Sequence, residues 1–395
     1  KGIAISPFIM LLENVKTTKN LREQAYVKEV NKVVVTEPRS LNTHIADYLR
    51  ILYGPIVGRA YRGKNLTGPS TRLDFVTDGF LANILMKENP YKTIIIDEVH
   101  ERNLNIDTVL ALCHMLKLKT VLLSATMDIP FFERYFDTKG LLKIPGRTFP
   151  IEDIYIEQET DYIKQAAELV AKIDEDVLVF LSSAYELKKA CKLMDKPCYE
   201  LHKGNLEGVN EFLDDSKPKV IFSTNVAESG VTLKLSCVVD IGLSYKSVFN
   251  AKEGIYELNM TTISQAEAEQ RRGRAGRISP GRCYHLYSRE SFENFAPFKS
   301  PEIMQEDLTE YILNLMDKDR LELLEHLPTP PSPAQLQYAF NLLENLKLSE
   351  NKNITELGRR VSATNLSVSE ALTLFESDKL GVSDIVCRIL AMRSV

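Results

Sequence analysis

The chain has 395 residues and a formal net charge of −5 at pH 7, with 44% hydrophobic and 26% charged residues. This length favours two or three domains, and the composition is typical of a soluble globular protein. No apolar run reaches the roughly 18 residues that cross a membrane, and residues 8–12 are too short for a secretory signal. The six cysteines form no CxxC pair, which argues against a zinc site or disulfide framework. We therefore expect an intracellular protein, nuclear or cytoplasmic, without a membrane contact.

The first part of the chain alternates short apolar runs with amphipathic stretches. Strands are predicted over residues 31–36, 93–96 and 120–123, and a helix over residues 106–116. Continuous β-branched runs are typical of parallel strands that are covered on both faces. The alternation predicts an α/β domain with a parallel sheet over residues 1–146.

The same pattern begins again after residues 144–150, where proline and glycine interrupt it. Its predicted elements are strands at 177–181, 219–222 and 237–240 and helices at 162–172 and 185–194. They indicate a second α/β domain over residues 147–300. From residue 301 the strand signals fade, and helices are predicted over 305–316 and 332–346.

Two adjacent carboxylates, Asp97 and Glu98, follow the strand predicted at residues 93–96. Open α/β sheets bind ligands at the carboxyl ends of their strands. Phosphoryl transfer needs a divalent ion and a group that positions the attacking water. Asp97 is suited to hold Mg²⁺ through its water shell, and Glu98 to orient or deprotonate the water. A capping cluster completed by Glu101 and Arg102 is the alternative.

Two further polar segments follow in order. Ser124 and Thr126 end the next predicted strand, so they should neighbour Asp97 in the sheet, although hydroxyls there also cap helices. Residues 270–277 hold four arginines and two glycines. Guanidinium groups bind phosphate in a planar fork, and the alternative is a solvated basic turn.

Taken together, residues 97–100, 124–126 and 270–277 resemble motifs II, III and VI of superfamily 2 helicases of the DEAH/RHA type. The resemblance implies two tandem RecA-like parallel-sheet domains. It further implies a mainly helical winged-helix domain over residues 301–375 and the start of a helical ratchet domain over residues 376–395.

The resemblance also implies roles for individual side chains. The implied catalytic residues are Glu98, His100, Gln270, Arg274 and Arg277. Arg274 and Arg277 would be arginine fingers supplied across a domain interface, an effect worth about 10³–10⁵ in rate. Gln270 would lie near the γ-phosphate, His100 would hydrogen-bond to neighbouring motifs, and the Ser124 and Thr126 pair would couple the nucleotide site to the RNA groove.

The implied nucleotide-binding residues are Lys16, Thr17, Thr18, Asp97, Glu98, Phe212, Thr232, Gln270, Arg274 and Arg277, with Thr17 and Asp97 as metal ligands. Phe212 stands where the family stacks an aromatic ring on adenine, and a core phenylalanine is the alternative. Residues 16–18 resemble the end of a Walker A motif whose glycine-rich part is missing. Either that loop belongs between Val15 and Lys16 in the natural molecule, or the protein has lost it together with its ATPase.

The implied RNA-binding residues are Arg39, Thr77, Asp78, Gly79, Ser182, Thr224 and Asn225. Hydroxyls, amides and backbone N–H groups suit sugar-phosphate contacts, which carry no sequence information. Taken alone, each of these short segments is better explained as a turn or a cap. Residues 246–258 are predicted as a hairpin, and both a strand-separating hairpin and an ordinary one remain open.

These features predict an NTP-dependent RNA helicase that steps along single-stranded RNA and remodels RNA or RNA–protein complexes. Its cofactors would be ATP or another NTP and Mg²⁺, and its partners RNA and a glycine-rich type of activator, with the protein itself a monomer. The alternative is an inactive RNA-binding scaffold with helicase architecture, and a DNA-directed motor is a further one.

Overall fold

The computed structural model describes residues 33–393, apart from residues 37–38, 62, 139, 143–148, 206–208, 210–211, 213–217, 229–232, 234, 278 and 365. At residues 39–45 and 393 it describes the backbone alone. We call residues 33–142 domain 1, residues 149–300 domain 2 and residues 301–393 the helical region. In the described part of the chain, no helix is long and apolar enough to span a bilayer.

The described residues of domain 1 form six strands and four α-helices. The strands are β1 (Val33–Thr36), β2 (Val57–Tyr61), β3 (Lys64–Asn65), β4 (Leu73–Val76), β5 (Thr93–Ile96) and β6 (Lys119–Leu122). The helices are α1 (Arg39–Tyr53), α2 (Asp78–Lys87), α3 (Leu104–Met115) and α4 (Ile129–Tyr135). The sheet order is β3-β2-β4-β1-β5-β6, and only β3 pairs antiparallel to its neighbour. The predicted doubly wound parallel sheet is therefore confirmed.

The central strand β1 pairs in parallel with both β4 and β5. All four of its residues are buried, and β5 is buried from Ile94 to Ile96. Helices on both faces cover such strands, which explains why the sequence shows continuous apolar runs rather than alternation. The strand predicted at 120–123 begins one residue earlier, at Lys119.

Domain 2 repeats the architecture with a second six-stranded sheet. Its strands are β7 (Ile151–Tyr155), β8 (Val177–Phe180), β9 (Cys198–Leu201), β10 (Val220–Ser223), β11 (Cys237–Asp240) and β14 (Gly281–His285). Their order is β7-β14-β11-β8-β10-β9, and every neighbouring pair is parallel. The helices among its described residues are α5 (Tyr162–Ala171), α6 (Ala184–Cys191), α7 (Gln265–Arg272) and α8 (Arg289–Glu293). The predicted boundary at residues 146–147 lies outside the described residues.

A long antiparallel hairpin projects from domain 2. It consists of β12 (Leu243–Asn250) and β13 (Ile255–Thr262), which pair along their whole length. The predicted hairpin with a turn near Asn250 is thus confirmed, and the paired strands extend beyond the predicted range. Gly254 closes the turn with a φ of 67°, a left-handed conformation that glycine adopts without steric cost.

The helical region contains six helices among its described residues, together with a two-stranded β15–β16 hairpin (Ser349–Glu350 and Asn353–Ile354). The helices are α9 (Thr309–Asp317), α10 (Leu323–His326), α11 (Pro333–Asn345), α12 (Glu356–Ala363), α13 (Val368–Lys379) and α14 (Ser383–Arg393). Mainly helical structure after residue 301 is confirmed. The division into a winged-helix domain and a ratchet domain at residue 375 stays a prediction.

The helix predicted to begin at residue 305 begins instead at Thr309. Residues Glu302–Met304 form a separate 3-10 turn, and the Asp307 carboxylate accepts hydrogen bonds from both the N–H and the hydroxyl of Thr309 at 2.9 and 2.6 Å. Asp307 therefore stops the chain from continuing as one helix and fixes the start of α9, because a short acidic side chain satisfies the first free N–H groups.

One hydrophobic core joins domain 1 to the helical region. Leu110 and Leu112 of α3 belong to the same cluster of buried side chains as Ile312 of α9 and Leu343 of α11, and all four are 0% exposed. A continuous packed cluster of this kind identifies one core rather than two. Domain 1 and the helical region are consequently packed as a single body, although about 200 residues separate them along the chain.

Candidate nucleotide-hydrolysis site

Asp97 and Glu98 lie directly after β5, at the carboxyl edge of the sheet in domain 1. The Asp97 N–H donates to the Thr36 carbonyl of β1, and the Asp97 carboxylate accepts the Glu98 N–H at 2.9 Å. Glu98 has a φ of 52°, which is uncommon for a residue with a side chain and is found disproportionately at functional sites. The chain thus turns sharply after the strand and presents both carboxylates at one place.

The environment of Glu98 is unfavourable for a bare carboxylate. Burial first, and then the carboxylates of Asp97 and Glu101, raise the pKa of Glu98 to about 7, against the opposing effect of Arg274 and Arg277. Burial likewise raises the pKa of Asp97. A cation placed between these groups would lower both pKa values, because an opposite charge favours the ionised form.

The donor set fits magnesium better than a fully protein-ligated metal. Among the described residues, no three His, Cys, Asp or Glu side chains are grouped to hold a metal ion by themselves. Mg²⁺ typically keeps several water ligands and binds through one or two carboxylates plus substrate phosphates. Asp97 meets that requirement, while the second predicted ligand, Thr17, lies outside the described residues together with Lys16 and Thr18.

His100 connects the first carboxylate motif to the next strand. His100 Nδ1 lies 2.9 Å from Ser124 Oγ, and the Ser124 hydroxyl donates to the Thr126 carbonyl at 2.8 Å. Because β5 and β6 are parallel neighbours, their carboxyl ends bring these side chains together as expected. On the other side, Gln270 of domain 2 donates its amide N–H to Thr126 Oγ1 at 3.1 Å. A hydrogen-bonded path therefore crosses from domain 1 to domain 2.

The four arginines of residues 270–277 divide into two pairs. Arg271 is fully buried and donates to the carboxylates of Glu228 and Asp240 at 2.7 Å each. Arg272 donates bidentate hydrogen bonds to the Asp153 carboxylate at 2.7 and 2.9 Å. These two arginines therefore make ion pairs within domain 2 itself.

Arg274 and Arg277 are close enough to Glu98 to influence its pKa across the domain boundary. Burial and the positive charge of Arg277 lower the pKa of Arg274, while Glu228 and Glu98 raise it. Two crowded guanidinium groups facing a carboxylate favour the binding of an anion between them. The structure therefore brings Glu98, Gln270 and both predicted arginine fingers to one location.

The structure explains why one of the two glycines in this segment, Gly276, has no side chain. A Cβ atom at residue 276 would lie 2.8 Å from the Phe149 carbonyl oxygen, closer than side-chain carbons approach a carbonyl. The Phe149 N–H also donates to the Gly276 carbonyl at 3.0 Å. Gly276 thus lets its backbone approach the backbone of Phe149, just before β7.

The predicted RNA-binding residues fall into two groups. Thr77, Asp78 and Gly79 begin α2 and line a groove of about 660 Å³, whose opposite wall includes Asn314 and Ser362 of the helical region. This groove is open and mostly polar in its lining. It places the three residues between domain 1 and the helical region.

The second group lies in domain 2. Ser182 and Thr224 follow the neighbouring parallel strands β8 and β10, so they stand side by side at one edge of the sheet. Asn225 is exposed and continues from Thr224. Arg39 begins α1, but its side chain is outside the described residues. The RNA contacts of both groups stay predictions.

Phe212 is half-buried within domain 2 and has two close neighbours. Its ring centroid lies 5.4 Å from that of Tyr199, and the Lys219 ammonium lies 5.1 Å from its ring. Packing in the core therefore already occupies much of this side chain, and stacking on adenine stays a prediction. The remaining predicted contact of this kind, Thr232, lies outside the described residues.

Sequence reasoning gave Arg102 no role beyond a capping cluster. Arg102 has a φ of 47° and donates to both oxygens of the buried Asp107 carboxylate, at 2.6 and 3.0 Å, and to Thr329 Oγ1 of the helical region at 2.8 Å. Glu302 accepts the Leu104 N–H at 2.6 Å. The segment after Asp97 and Glu98 is therefore held by the helical region. The signal available in the sequence was Asp107, an acidic residue within an apolar helical segment, five positions after Arg102.

Comparison with known proteins agrees with this geometry. The family described as "Helicase conserved C-terminal domain" matches residues 161–279. The pre-mRNA-splicing factor ATP-dependent RNA helicase prp22 of Schizosaccharomyces pombe is 31% identical over 96% of this chain and 36% of that protein. The ATP-dependent RNA helicase DHX33 of mouse is 30% identical over 92% of this chain and 59% of its own length.

Solved structures show the same resemblance. The crystal structure of the Escherichia coli DEAH/RHA helicase HrpB superposes with a TM-score of 0.74 at 27% identity, over 87% of this chain and 48% of that protein. The chain thus spans between about a third and three fifths of the length of these relatives. The two parallel-sheet domains and the helical region share the HrpB architecture.

Proposed function

Because this chain belongs to the DEAH/RHA family of superfamily 2 helicases, we propose that it forms the core of an NTP-dependent RNA helicase. It couples ATP hydrolysis between two RecA-like domains to movement along single-stranded RNA. The relatives prp22 and DHX33 are both ATP-dependent RNA helicases by name, which supports this activity. The same names suggest an intracellular setting in which RNA or RNA–protein complexes are remodelled.

One observation carries the proposal. The segment of domain 2 that carries Arg274 and Arg277 meets the carboxylate motif of domain 1, because Gln270 donates to Thr126 Oγ1 at 3.1 Å. Both arginines also lower the pKa of Glu98. Neither domain alone provides both the carboxylate and the arginines. A hydrolysis site divided in this way works only when the domains are close together, so nucleotide binding and release can drive their relative movement.

Each side chain then has a defined task. Glu98 orients the attacking water and takes its proton, for which a pKa near the working pH is favourable. Arg274 and Arg277 stabilise the negative charge that builds up on the transferring phosphoryl group. Asp97, with Thr17 if the phosphate-binding loop is complete, would hold Mg²⁺, which would partly neutralise the negative charge of the phosphates.

The path through His100, Ser124, Thr126 and Gln270 gives a physical connection between hydrolysis and domain movement. Opening of the two domains must break the Gln270–Thr126 hydrogen bond, and the change reaches the carboxylate motif through Ser124 and His100. RNA held by Thr77–Gly79 in domain 1 and by Ser182 and Thr224 in domain 2 would then be moved in steps. Such contacts to the sugar-phosphate backbone are sequence-tolerant and salt-dependent.

The direct test is the substitution Glu98→Gln. It keeps the size of the side chain but removes the base, so RNA-stimulated ATP hydrolysis should fall about 100-fold or more. The measurement is steady-state ATP hydrolysis with and without single-stranded RNA. Glu88→Gln makes the same chemical change on an exposed residue after α2 and should leave the rate unchanged. A Glu98→Gln rate close to wild type would refute the assignment of the base.

A second function is supported by one feature of the sequence. No glycine-rich phosphate loop precedes Lys16 in the printed chain, so a non-hydrolysing RNA clamp or scaffold is the competing proposal. The same assay separates the two functions. Unstimulated wild-type protein that still binds single-stranded RNA would favour the clamp, and RNA-stimulated turnover would favour the motor. An activator of the glycine-rich type is proposed as a partner of the motor alone.

A further inference from the structure

Two cysteines of domain 2, Cys191 and Cys198, lie next to each other in the fold. Cys191 is the last residue of α6, and Cys198 is the first residue of β9, which forms one edge of the sheet. Residues 192–197 connect them, and within this turn the Met194 N–H donates to the Cys191 carbonyl at 3.2 Å. The turn after the helix thus brings the two side chains together.

The two thiols are in direct contact. Cys198 Sγ lies 3.8 Å from the Cys191 carbonyl oxygen, and the two thiol groups are hydrogen-bonded to each other. Both side chains are half-buried rather than enclosed in the core, so part of each is open to small molecules in solution. The proposed hydrolysis and RNA contacts use neither of them.

The hydrogen bond between them makes the two thiols chemically different. It lowers the pKa of Cys198, against the opposing effects of burial and of the Glu200 carboxylate. The same hydrogen bond, followed by burial, raises the pKa of Cys191. Because the thiolate is the form that attacks a disulfide, Cys198 is the nucleophile of the pair and Cys191 is the thiol that reacts second.

The other four cysteines lack this arrangement. Cys113, Cys237 and Cys283 are at most 1% exposed, and burial raises the pKa of each thiol. Cys387 is exposed on α14 of the helical region. Among the six cysteines, all of which the structure describes, only the pair in domain 2 combines partial exposure with contact to a second thiol.

We propose that Cys191 and Cys198 form a reversible disulfide by exchange with a small disulfide such as glutathione disulfide. The Cys198 thiolate attacks one sulfur of glutathione disulfide, and one glutathione leaves as the thiolate. Cys191 then loses its proton and attacks Cys198 Sγ, which breaks the mixed disulfide and releases the second glutathione. Two protein thiols are oxidised, and one glutathione disulfide is reduced to two glutathione molecules, which take up the two protons.

This modification site is independent of the proposed motor function. The disulfide joins the end of α6 to β9, whose Tyr199 ring lies 5.4 Å from that of Phe212 and whose Leu201 carbonyl accepts the Thr224 N–H at 3.1 Å. Oxidation therefore occurs on the strand that contacts two residues with proposed nucleotide and RNA roles. Because the exchange is reversible, it agrees with the reduced thiols expected from the sequence.

The test treats the folded whole chain with glutathione disulfide, blocks the remaining thiols with iodoacetamide and maps tryptic peptides by mass spectrometry. Trypsin cuts after Lys189, Lys192 and Lys203 but not before Pro197, so the two cysteines fall on different peptides, residues 190–192 and 193–203. The two peptides should appear as one species, lighter than their summed masses by two hydrogen atoms. Dithiothreitol should separate them again. The exposed Cys387 takes up glutathione and serves as the internal reference for the oxidant.

Single substitutions assign the two roles. Cys191→Ser keeps a hydrogen-bond donor beside Cys198 and should stop the reaction at the mixed disulfide, with one glutathione on residues 193–203. In Cys198→Ser, glutathione should attach to Cys191 at least about tenfold more slowly than it attaches to Cys198 in Cys191→Ser. Cys387→Ser makes the same change at the exposed cysteine and should leave the crosslink unaffected.

Two results would overturn the proposed disulfide. One is a wild-type chain in which Cys387 takes up glutathione while residues 190–192 and 193–203 stay separate. The other is a crosslink that forms as fast in the urea-unfolded chain as in the folded one, relative to the reaction of Cys387, because the fold would then contribute nothing. Equal reactivity of Cys191 and Cys198 in the single variants would refute the assignment of the nucleophile.

Discussion

At the scale of single residues, buried charge is the most informative feature of this molecule. Arg271 has a side chain that is 1% exposed, between Glu228 and Asp240. Its guanidinium carbon Cζ also lies 4.9 Å from the centroid of the Phe180 ring. Such a charge is tolerated in the interior only because both carboxylates and their hydrogen bonds compensate its desolvation.

Arg271→Met tests this arrangement. The substitution keeps a long side chain but leaves two buried carboxylates without their cation, so the free energy of unfolding should fall by about 3–5 kcal/mol. Urea denaturation followed by circular dichroism measures the change. Arg289→Met is the matched control, because its ion pair with Glu293 is 79% and 68% exposed and should contribute at most about 1 kcal/mol. Equal effects of the two substitutions would show that the buried cluster is not needed for stability.

At the scale of elements, the Asp153 side chain adds to the backbone pairing that holds the edge strand β7 against β14. Its carboxylate accepts hydrogen bonds from Arg272 of α7 at 2.7 and 2.9 Å and lies 3.0 Å from His285 Nε2 of β14. Partial burial by itself raises the pKa of Asp153, but the hydrogen bonds from Arg272 and His285 outweigh it and lower the pKa below its ordinary value of 3.8.

The lowered pKa of Asp153 predicts a pH-dependent contribution to stability. A carboxyl whose pKa is lower in the folded state stabilises the fold above its ordinary pKa and loses that contribution as the pH falls through the folded value. Asp153→Asn should therefore cost about 1–3 kcal/mol of unfolding free energy at pH 5, and the difference from wild type should shrink below pH 3.8.

The control for this experiment is Asp174→Asn, since the Asp174 side chain is 97% exposed. Denaturation curves at several pH values between 5 and 3 compare the three proteins. A destabilisation by Asp153→Asn that stays constant across this range would mean that the charge of Asp153 does not contribute to stability.

Local patterns predicted the elements better than their connections. The strands β1, β5 and β11 were predicted nearly to the residue, because their buried β-branched runs leave few alternatives. The start of α9 was predicted four residues too early, because the apolar spacing continues through a turn that Asp307 interrupts. The helical spacing of apolar residues does not reveal a polar side chain that fixes the start of a helix further along the chain.

Contacts between distant residues were beyond the reach of such patterns. Motif order predicted that Glu98 and Arg274 would meet, since the family resemblance fixes their relation. Nothing in the spacing indicated that Arg102 would bond to Thr329, 227 residues away. Long-range pairs of this kind depend on how whole domains pack, which the sequence of either segment does not encode by itself.

At the scale of the whole molecule, the clusters of buried side chains indicate which parts of the chain form one packed body. Domain 2 has its own clusters of buried side chains, whereas domain 1 and the helical region share one. The hairpin β12–β13 bridges the two bodies, because the Phe249 N–H donates to the Gln305 carbonyl and its ring lies 5.0 Å from that of Tyr338. Relative movement during a hydrolysis cycle should thus occur between domain 2 and the rest.

The shared core makes a prediction about cooperativity. Ile312→Ala in α9 removes a side chain that is 0% exposed and should cost about 2–5 kcal/mol, which is the usual range for such cavities. If domain 1 and the helical region unfold together, amide hydrogen exchange should accelerate in α3 of domain 1 as well as in α9 and α11. Leu187→Ala, also 0% exposed but in α6 of domain 2, should accelerate exchange in domain 2 alone. Exchange in α3 that is unaffected by Ile312→Ala would mean that the helical region is an independent unit, and the movement would then have to be divided among three bodies instead of two.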